Sequence, residues 1–139
     1  PKAIESLSNV QVVSTHDIHR QACDVFVPCA LGGIINPQSI QELQCQIIAG
    51  AANNQLLNPE LAYELRRKNI LFAPDYVINS GGLIYAANKY LKVSDEVIES
   101  QITQIYHRLI DIFEIAEQSD QPPSIMVDKI AKEKIGVAL

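Results

Sequence analysis

Three short turns built from small and amide residues constrain this chain more than any other feature of its sequence. They span residues 28–33, 49–55 and 73–82, and each follows a short apolar run. Short continuous apolar runs bounded by turn residues are typical of buried strands. Ligands bind beyond the carboxyl ends of parallel strands, and small residues let the backbone approach a ligand closely, so the three turns together predict one wall of a ligand cleft.

Strand and helix signals alternate over the first two thirds of the chain. The pattern predicts about four strands, at residues 10–13, 24–27, 46–49 and 70–73, and it predicts helices at 39–43, 58–68, 81–91 and 124–135. It also predicts a long helix that is capped at Ser94, carries one apolar stripe over 98–116 and is broken at 121–123. Because the strand runs are continuously apolar rather than alternating, we expect an α/β fold with a parallel sheet, helices on both of its faces, and further helices at the carboxyl end.

Composition excludes several classes of function. The net charge is −5 and the basic residues are scattered apart from one cluster at 66–68, which fits a helix end and not a nucleic-acid surface. Cys23, Cys29 and Cys45 have no metal-ligand spacing with one another or with histidines, so we predict no metal site and reduced thiols. Without an apolar run long enough to span a membrane, a cytoplasmic protein with no membrane partner is expected.

Asn53 and Asn79 are the strongest candidates for ligand contact. Each follows a strand end beside Gly or Ala, and an amide side chain both donates and accepts hydrogen bonds, as recognition of a carboxamide or a sugar hydroxyl requires. Ordinary turn chemistry explains either residue taken alone, since Asn is a default turn residue. Two such residues at neighbouring strand ends favour ligand binding.

Other candidates have equally plausible structural explanations. Gly81 and Gly82 open a helix and suit either an anion site or tight packing. Cys29 is a contact residue in preference to a nucleophile, because no partner for it can be identified. Asp75 is a candidate general base or a turn residue that caps its own backbone. No Gly-x-Gly occurs, so neither the dinucleotide fingerprint nor a P-loop is present.

At the three turns the chain resembles the glutamate/leucine/phenylalanine/valine family of amino-acid dehydrogenases, and its leucine-specific members most of all. The matching stretches are 29–32, 50–53 and 76–82, and the resemblance is strong over 23–91 and weaker beyond. It implies a Rossmann-like fold and the NAD-dependent oxidative deamination of an aliphatic, branched-chain L-amino acid to its 2-oxo acid.

The resemblance also implies roles for six residues. Cys29 and Ala30 correspond to residues along the ribose and pyrophosphate of NAD, and Asn53 and Asn79 to residues at the nicotinamide end. Leu83 and Ala86 fall where the family shapes the pocket for the substrate side chain, and apolar residues there suit an aliphatic amino acid. These six are the predicted site residues.

The family's catalytic lysines and aspartate, its glycine fingerprint and its acidic ribose-binding residue are not in this sequence. We therefore expect no catalytic residue here, and we interpret residues 1–92 as the second half of the NAD-binding domain and 93–139 as carboxyl-terminal helices. The choice between NAD and NADP stays open.

The expected partners are the amino-acid substrate, a missing amino-terminal catalytic segment and further copies in a homo-oligomer. The chain alone is expected to be inactive, as a fragment of a longer enzyme. The alternative is a non-catalytic nucleotide-binding or regulatory module that retains half of the fold.

Overall fold

A small parallel sheet organises the part of the chain that the structure, a computed structural model, describes, namely residues 8–136. Its strands are β1 (Val25–Phe26), β2 (Ile47–Ile48) and β3 (Leu71–Phe72). They are parallel and lie in the order β1-β2-β3, so β2 is central and β1 and β3 form the edges. Parallel neighbours that follow one another in sequence require crossover connections, which bring successive strand ends to the same edge of the sheet.

Helices connect the strands and then make up the carboxyl-terminal third. A 3-10 turn at Ile18–Arg20 precedes β1. The α-helices of the described residues are α1 (Ser39–Glu42), α2 (Leu61–Arg67), α3 (Asp75–Ile78), α4 (Gly81–Tyr90), α5 (Asp95–Gln118) and α6 (Pro123–Ile135).

Local sequence explains where the connecting helices begin and end. Before α1, the Asn36 side-chain oxygen accepts hydrogen bonds from the backbone N–H groups of Gln38 and Ser39, as expected for an Asn-Pro turn. The helix predicted from residue 58 begins later, at Leu61, because residues 58–60 form a turn in which the Asn58 carbonyl accepts a hydrogen bond from the Leu61 N–H and the Asn58 side chain caps nothing among the described residues. The basic cluster lies at the end of α2, where cations are favourable.

The core lies on one face of the sheet, between the strands and helices α1 and α2. Each strand contributes one buried side chain to this core, namely Phe26, Ile48 and Phe72. The helices and connections supply the rest of the cluster, which comprises Ile35, Ile40, Leu43, Cys45, Leu61, Leu65 and Ile70. Close packing of these side chains holds the three strand ends in register.

Helix α5 carries the predicted apolar stripe. Ile98, Ile112 and Ala116 are buried, and the stripe positions between them are partly buried. This face packs against α3, α4 and α6. Burial at steps of three and four residues is what an amphipathic helix requires, so the sequence prediction for this helix is confirmed.

Other details also differ from the sequence prediction. Residues 10–13 form no strand, and Val10 and Val12 are exposed with no neighbouring strand in the described chain to pair with them, so the sheet has three strands and not about four. The second face of the sheet is only partly covered, since Val25 is 43% and Leu71 38% exposed. Ser124 does not cap α6, because the helix begins at Pro123 and buries Ser124 within its first turn.

Candidate functional site

The first two turns pack tightly against each other. A Cβ atom at Gly50 would lie 2.1 Å from the Pro28 carbonyl oxygen, and one at Gly32 would lie 2.7 Å from the Asn53 carbonyl oxygen. The Ala52 N–H donates to the same Pro28 carbonyl at 2.9 Å. The small residues at Gly32 and Gly50 therefore let backbone approach backbone, which is a different use from the approach to a ligand that the sequence suggested.

Asn53 and Asn79 meet, as their positions at neighbouring strand ends predict. The Asn79 side-chain nitrogen donates to the Asn53 side-chain oxygen at 2.6 Å and to the Ala51 carbonyl at 3.3 Å. The Asn53 side-chain nitrogen and the Asn79 side-chain oxygen have no hydrogen-bond partner among residues 8–136. The pair thus presents one donor group and one acceptor to its surroundings.

A depression of about 570 Å³ surrounds this amide pair. Its lining consists of Ala51, Asn53, Tyr76, Asn79, Ser80 and Leu83. It therefore gathers three of the six predicted site residues. Cys29 and Ala30 are exposed on the first turn, Ala86 is exposed on α4 one turn beyond Leu83, and none of these three lines the depression.

Asp75 fixes the second turn to the third. It is the first residue of α3, it is only 7% exposed, and its carboxylate accepts a hydrogen bond from the Asn54 backbone N–H at 2.5 Å. Asn54 has a φ of 53°, a left-handed conformation that asparagine tolerates better than most residues. The sequence suggested either a general base or a carboxylate that caps its own turn. The structure shows a third arrangement, in which the Asp75 carboxylate accepts from a backbone N–H 21 residues earlier in the chain.

Gln55 braces the second turn from inside the core. Its side chain is fully buried, and its nitrogen donates to the carbonyls of Gly50 and Ala52 at 2.7 and 2.9 Å. No pattern in the sequence singles out Gln55. A glutamine directly after two asparagines resembles an ordinary polar loop, and only the burial of the turn distinguishes it.

Tyr76 links the depression to α6. Its hydroxyl donates to the Asp128 carboxylate at 2.7 Å and also lies 3.2 Å from the Ser124 carbonyl oxygen. Burial, together with the Asp128 carboxylate, raises the pKa of the Tyr76 phenol above its usual value, so the group remains a neutral donor. Tyr76 therefore ties the wall of the depression to α6.

The two glycines that open α4 have different surroundings. A Cβ atom at Gly81 would contact Ile102 and Ile105 of α5 at 3.7 Å, whereas one at Gly82 would meet nothing within 4 Å. Gly81 thus lies at the contact with α5, where a Cβ atom would still fit at ordinary van der Waals distance. The open side of Gly82 leaves the backbone at the start of α4 accessible beside Ser80 and Leu83.

A second cavity, of about 620 Å³, lies between α2, β3, α5 and α6. Three of the charged side chains in its lining form ion pairs with one another. The Arg66 guanidinium lies 2.8 Å from the Asp120 carboxylate and 3.4 Å from the Glu117 carboxylate. None of the six predicted site residues lines this cavity.

Neither a metal cluster nor a membrane-spanning helix is found in the described residues. No group of three or more His, Cys, Asp or Glu side chains is placed to hold a metal ion there. No helix within the same range is both long and apolar enough to cross a membrane.

A parallel sheet with an amide-lined depression beyond its strand ends defines a Rossmann-like α/β protein. The sequence profile of the Glutamate/Leucine/Phenylalanine/Valine dehydrogenase family matches residues 2–132. The chain belongs to this family of amino-acid dehydrogenases.

Relatives with different substrates match the chain similarly well. It is 40% identical to leucine dehydrogenase from Geobacillus stearothermophilus over 134 residues, covering 96% of this chain and 36% of that protein. It is 42% identical to phenylalanine dehydrogenase from Bacillus thermotolerans over 116 residues, covering 84% of this chain and 30% of that protein. The crystal structure of L-tryptophan dehydrogenase from Nostoc punctiforme superposes with a TM-score of 0.90 at 41% identity, covering 97% of this chain and 40% of that chain.

Two conclusions follow from these relatives. The chain spans about a third of the length of the curated proteins that it matches. Leucine, phenylalanine and tryptophan dehydrogenases all match, so membership of the family does not fix the amino acid.

Proposed function

We propose that this chain forms the second half of the cofactor-binding domain of an NAD-dependent amino-acid dehydrogenase, with residues 1–92 in that domain and 93–139 as carboxyl-terminal helices. The whole enzyme would convert an L-amino acid to its 2-oxo acid by oxidative deamination. The observation that carries the proposal is the Asn53–Asn79 pair, which lines a depression beyond the ends of adjacent parallel strands in a member of a dehydrogenase family.

The amide pair fits the nicotinamide end of the cofactor. A carboxamide offers one acceptor oxygen and one donor nitrogen, and the pair offers the complementary Asn53 nitrogen and Asn79 oxygen. When bound, the nicotinamide supplies the acceptor for a hydride. The hydrogen bonds of Asp75 and Gln55 to the second turn keep Asn53 in place before the cofactor arrives.

The chain contributes binding and orientation in this proposal. The lining of the depression contains no lysine, histidine or carboxylate, and its one titratable side chain, Tyr76, is engaged by Asp128. Proton transfer is therefore assigned to residues outside this chain. Cys29 and Ala30 remain our proposed contacts for the ribose and pyrophosphate, since both lie exposed on the adjoining turn.

The substrate side chain is proposed to lie against α4. Leu83 is 75% exposed at the rim of the depression, and Ala86 lies three residues further along the helix, which places both on one face. An apolar pair favours an apolar amino acid over glutamate. The small Ala86 and flexible Leu83 suit an aliphatic, branched side chain.

The exposed edge of β1 is the proposed attachment point for the rest of the enzyme. Within the described residues β1 pairs with β2 alone, and Val25, Val27 and Leu31 are exposed along or beside it. An unpaired, apolar strand edge readily takes up a further strand. We propose that the amino-terminal catalytic segment completes the sheet there and that the assembled enzyme is a homo-oligomer.

A chimera tests the proposed activity. In the leucine dehydrogenase relative, the segment that matches this chain is replaced by residues 1–139, and the reduction of NAD and of NADP is measured with each L-amino acid. We expect NAD reduction with leucine, valine and isoleucine, and little with glutamate. A folded, oligomeric chimera that is inert on every aliphatic amino acid would refute the activity.

Two substitutions in the active chimera test the substrate pocket. We expect Leu83→Gly and Ala86→Leu to change the ratio of kcat/KM values between leucine and phenylalanine about tenfold or more, with the KM for NAD within about twofold. As a matched control, Tyr85→Ala alters an exposed α4 residue that lies outside the depression and on a different helix face from Leu83, and it should leave the ratio unchanged. An equal loss for all substrates would indicate a packing role for Leu83 and Ala86.

A further inference from the structure

Two cysteines lie side by side just before the amino ends of β1 and β2. The depression lies beyond the carboxyl ends of the strands, so the cysteines are at the opposite end of the sheet. The register pairs Val25 with Ile47, and Cys23 and Cys45 each lie two residues before these positions. The Cys23 N–H donates to the Gln44 carbonyl at 3.5 Å, and the Ile47 N–H donates to the Asp24 carbonyl at 3.1 Å. Hydrogen bonds between the two chain segments therefore flank the cysteine pair.

This spacing is compatible with a covalent link. Neighbouring strands lie about 4.8 Å apart, and disulfides join Cα atoms about 4.4–6.8 Å apart. The third cysteine, Cys29, follows the carboxyl end of β1 and is separated from Cys23 by about 20 Å of extended chain. The fold thus selects one pair of the three thiols.

The two thiols differ in access. Cys23 is exposed, whereas Cys45 is buried in the core cluster. Burial raises the pKa of the Cys45 thiol, and a negative charge on the neighbouring Cys23 raises it further. The exposed sulfur is therefore positioned to react first and the buried one second.

We propose that Cys23 and Cys45 are a reversible dithiol–disulfide site that is oxidised by a low-molecular-weight disulfide. The Cys23 thiolate attacks one sulfur of the reagent, breaks its S–S bond and releases one thiol, which leaves a mixed disulfide on Cys23. The Cys45 thiolate then attacks the Cys23 sulfur, forms the internal disulfide and releases the second thiol. Two protons and two electrons pass from the cysteines to the reagent, which is reduced to two thiols.

The internal disulfide would join the segments that lead into β1 and β2. It would lie at the amino ends of the strands and leave the depression at their carboxyl ends open. It would constrain the crossover that contains α1 and would not touch Asn53 or Asn79. The inference does not depend on the proposed dehydrogenase activity, because it uses only the register and the accessibility of the thiols.

Thiol counting and peptide mapping test the proposal on the full chain. The reduced protein is incubated with oxidised glutathione, free thiols are counted, and the protein is alkylated and digested with chymotrypsin, which cleaves between the three cysteines after Phe26, Leu31 and Leu43. We expect free thiols to fall from three to one, with a Cys23–Cys45 linked peptide and alkylated Cys29. Reduction with dithiothreitol should restore all three.

Matched variants and an unfolded control separate the fold from chance pairing. Cys23→Ser should abolish the internal disulfide, whereas Cys29→Ser should leave it unchanged. In concentrated urea the pair nearest in sequence, Cys23 and Cys29, should instead dominate, because closing a short loop costs less entropy. Glutathione retained on Cys23 with Cys45 still free, or a Cys23–Cys29 link in the native protein, would overturn the proposal.

Discussion

A methyl group at position 50 would lie 2.1 Å from the carbonyl oxygen of Pro28 and 2.6 Å from the backbone nitrogen of Pro28. Both are backbone atoms that cannot move without displacing the first turn. We therefore expect Gly50→Ala to lower the free energy of unfolding by at least about 2 kcal/mol, as measured by urea denaturation.

Gly82→Ala is the matched control for this substitution. Its Cβ would meet nothing within 4 Å, and the residue lies in a helix. Alanine there should stabilise the protein by about 0.5–1 kcal/mol. Equal destabilisation by the two variants would show that the close contact between the first two turns is not a packing constraint.

Asp75 should contribute more to stability than an exposed aspartate. Asp75→Ala removes the partly buried carboxylate that accepts the Asn54 N–H, and a hydrogen bond to a charged group contributes about 1.5–3 kcal/mol. Asp111→Ala, at an exposed site on α5, should change the free energy of unfolding by less than about 0.5 kcal/mol. If urea titrations gave the same small loss for both, the link between the second and third turns would have no energetic role.

At the scale of single elements, sequence periodicity predicted the helices better than the strands. Helix α5 has a stripe long enough to identify its buried face, and α4 begins and ends within one residue of its prediction. Each strand contributes only two residues to regular pairing, which is too short for a pattern to set its limits. The apolar residues 10–13 show the consequence, since an apolar run becomes a strand only where a neighbour pairs with it.

Glu42 in α1 forms a tether to His19 and Arg20 in the 3-10 turn, and this tether should make the free energy of unfolding depend on pH in the acid range. The Glu42 carboxylate lies 2.9 Å from the Arg20 guanidinium and 2.6 Å from the His19 ring nitrogen. Hydrogen bonds from Arg20, and then from His19, lower the pKa of Glu42 from 4.5 to about 2. Because the folded-state pKa is the lower one, this stabilisation is complete above pH 4.5 and is lost as the pH falls towards 2.

A melting-temperature series between pH 7 and pH 2 tests this tether. The Glu42→Gln variant should lose less of its melting temperature between pH 4.5 and pH 2 than the wild type, because the carboxylate that titrates there is gone. Glu99→Gln, at an exposed position without an ion pair in the described chain, should follow the wild-type curve. Parallel curves for Glu42→Gln and the wild type would contradict the assignment.

For the molecule as a whole, the sequence predicted a parallel α/β fold and put Asn53 and Asn79 at neighbouring strand ends, because parallel strands end on one side of a sheet. The hydrogen bond between the two side chains is seen only in the structure. The sequence did not predict Asp75 or Gln55 as supports, since their partners depend on how two turns pack in space. The sequence also did not predict that the second face of the sheet is half-exposed, because burial of that face depends on which other segments pack against it.

A crystal structure of a full-length dehydrogenase that carries this chain, determined with NAD bound, would show what the amide pair binds. We expect the nicotinamide carboxamide within hydrogen-bonding distance of the Asn53 nitrogen and the Asn79 oxygen. We also expect Leu83 to lie beside the substrate pocket. A cofactor bound elsewhere, with the Asn53–Asn79 pair facing only solvent or protein, would contradict the proposed role of the pair.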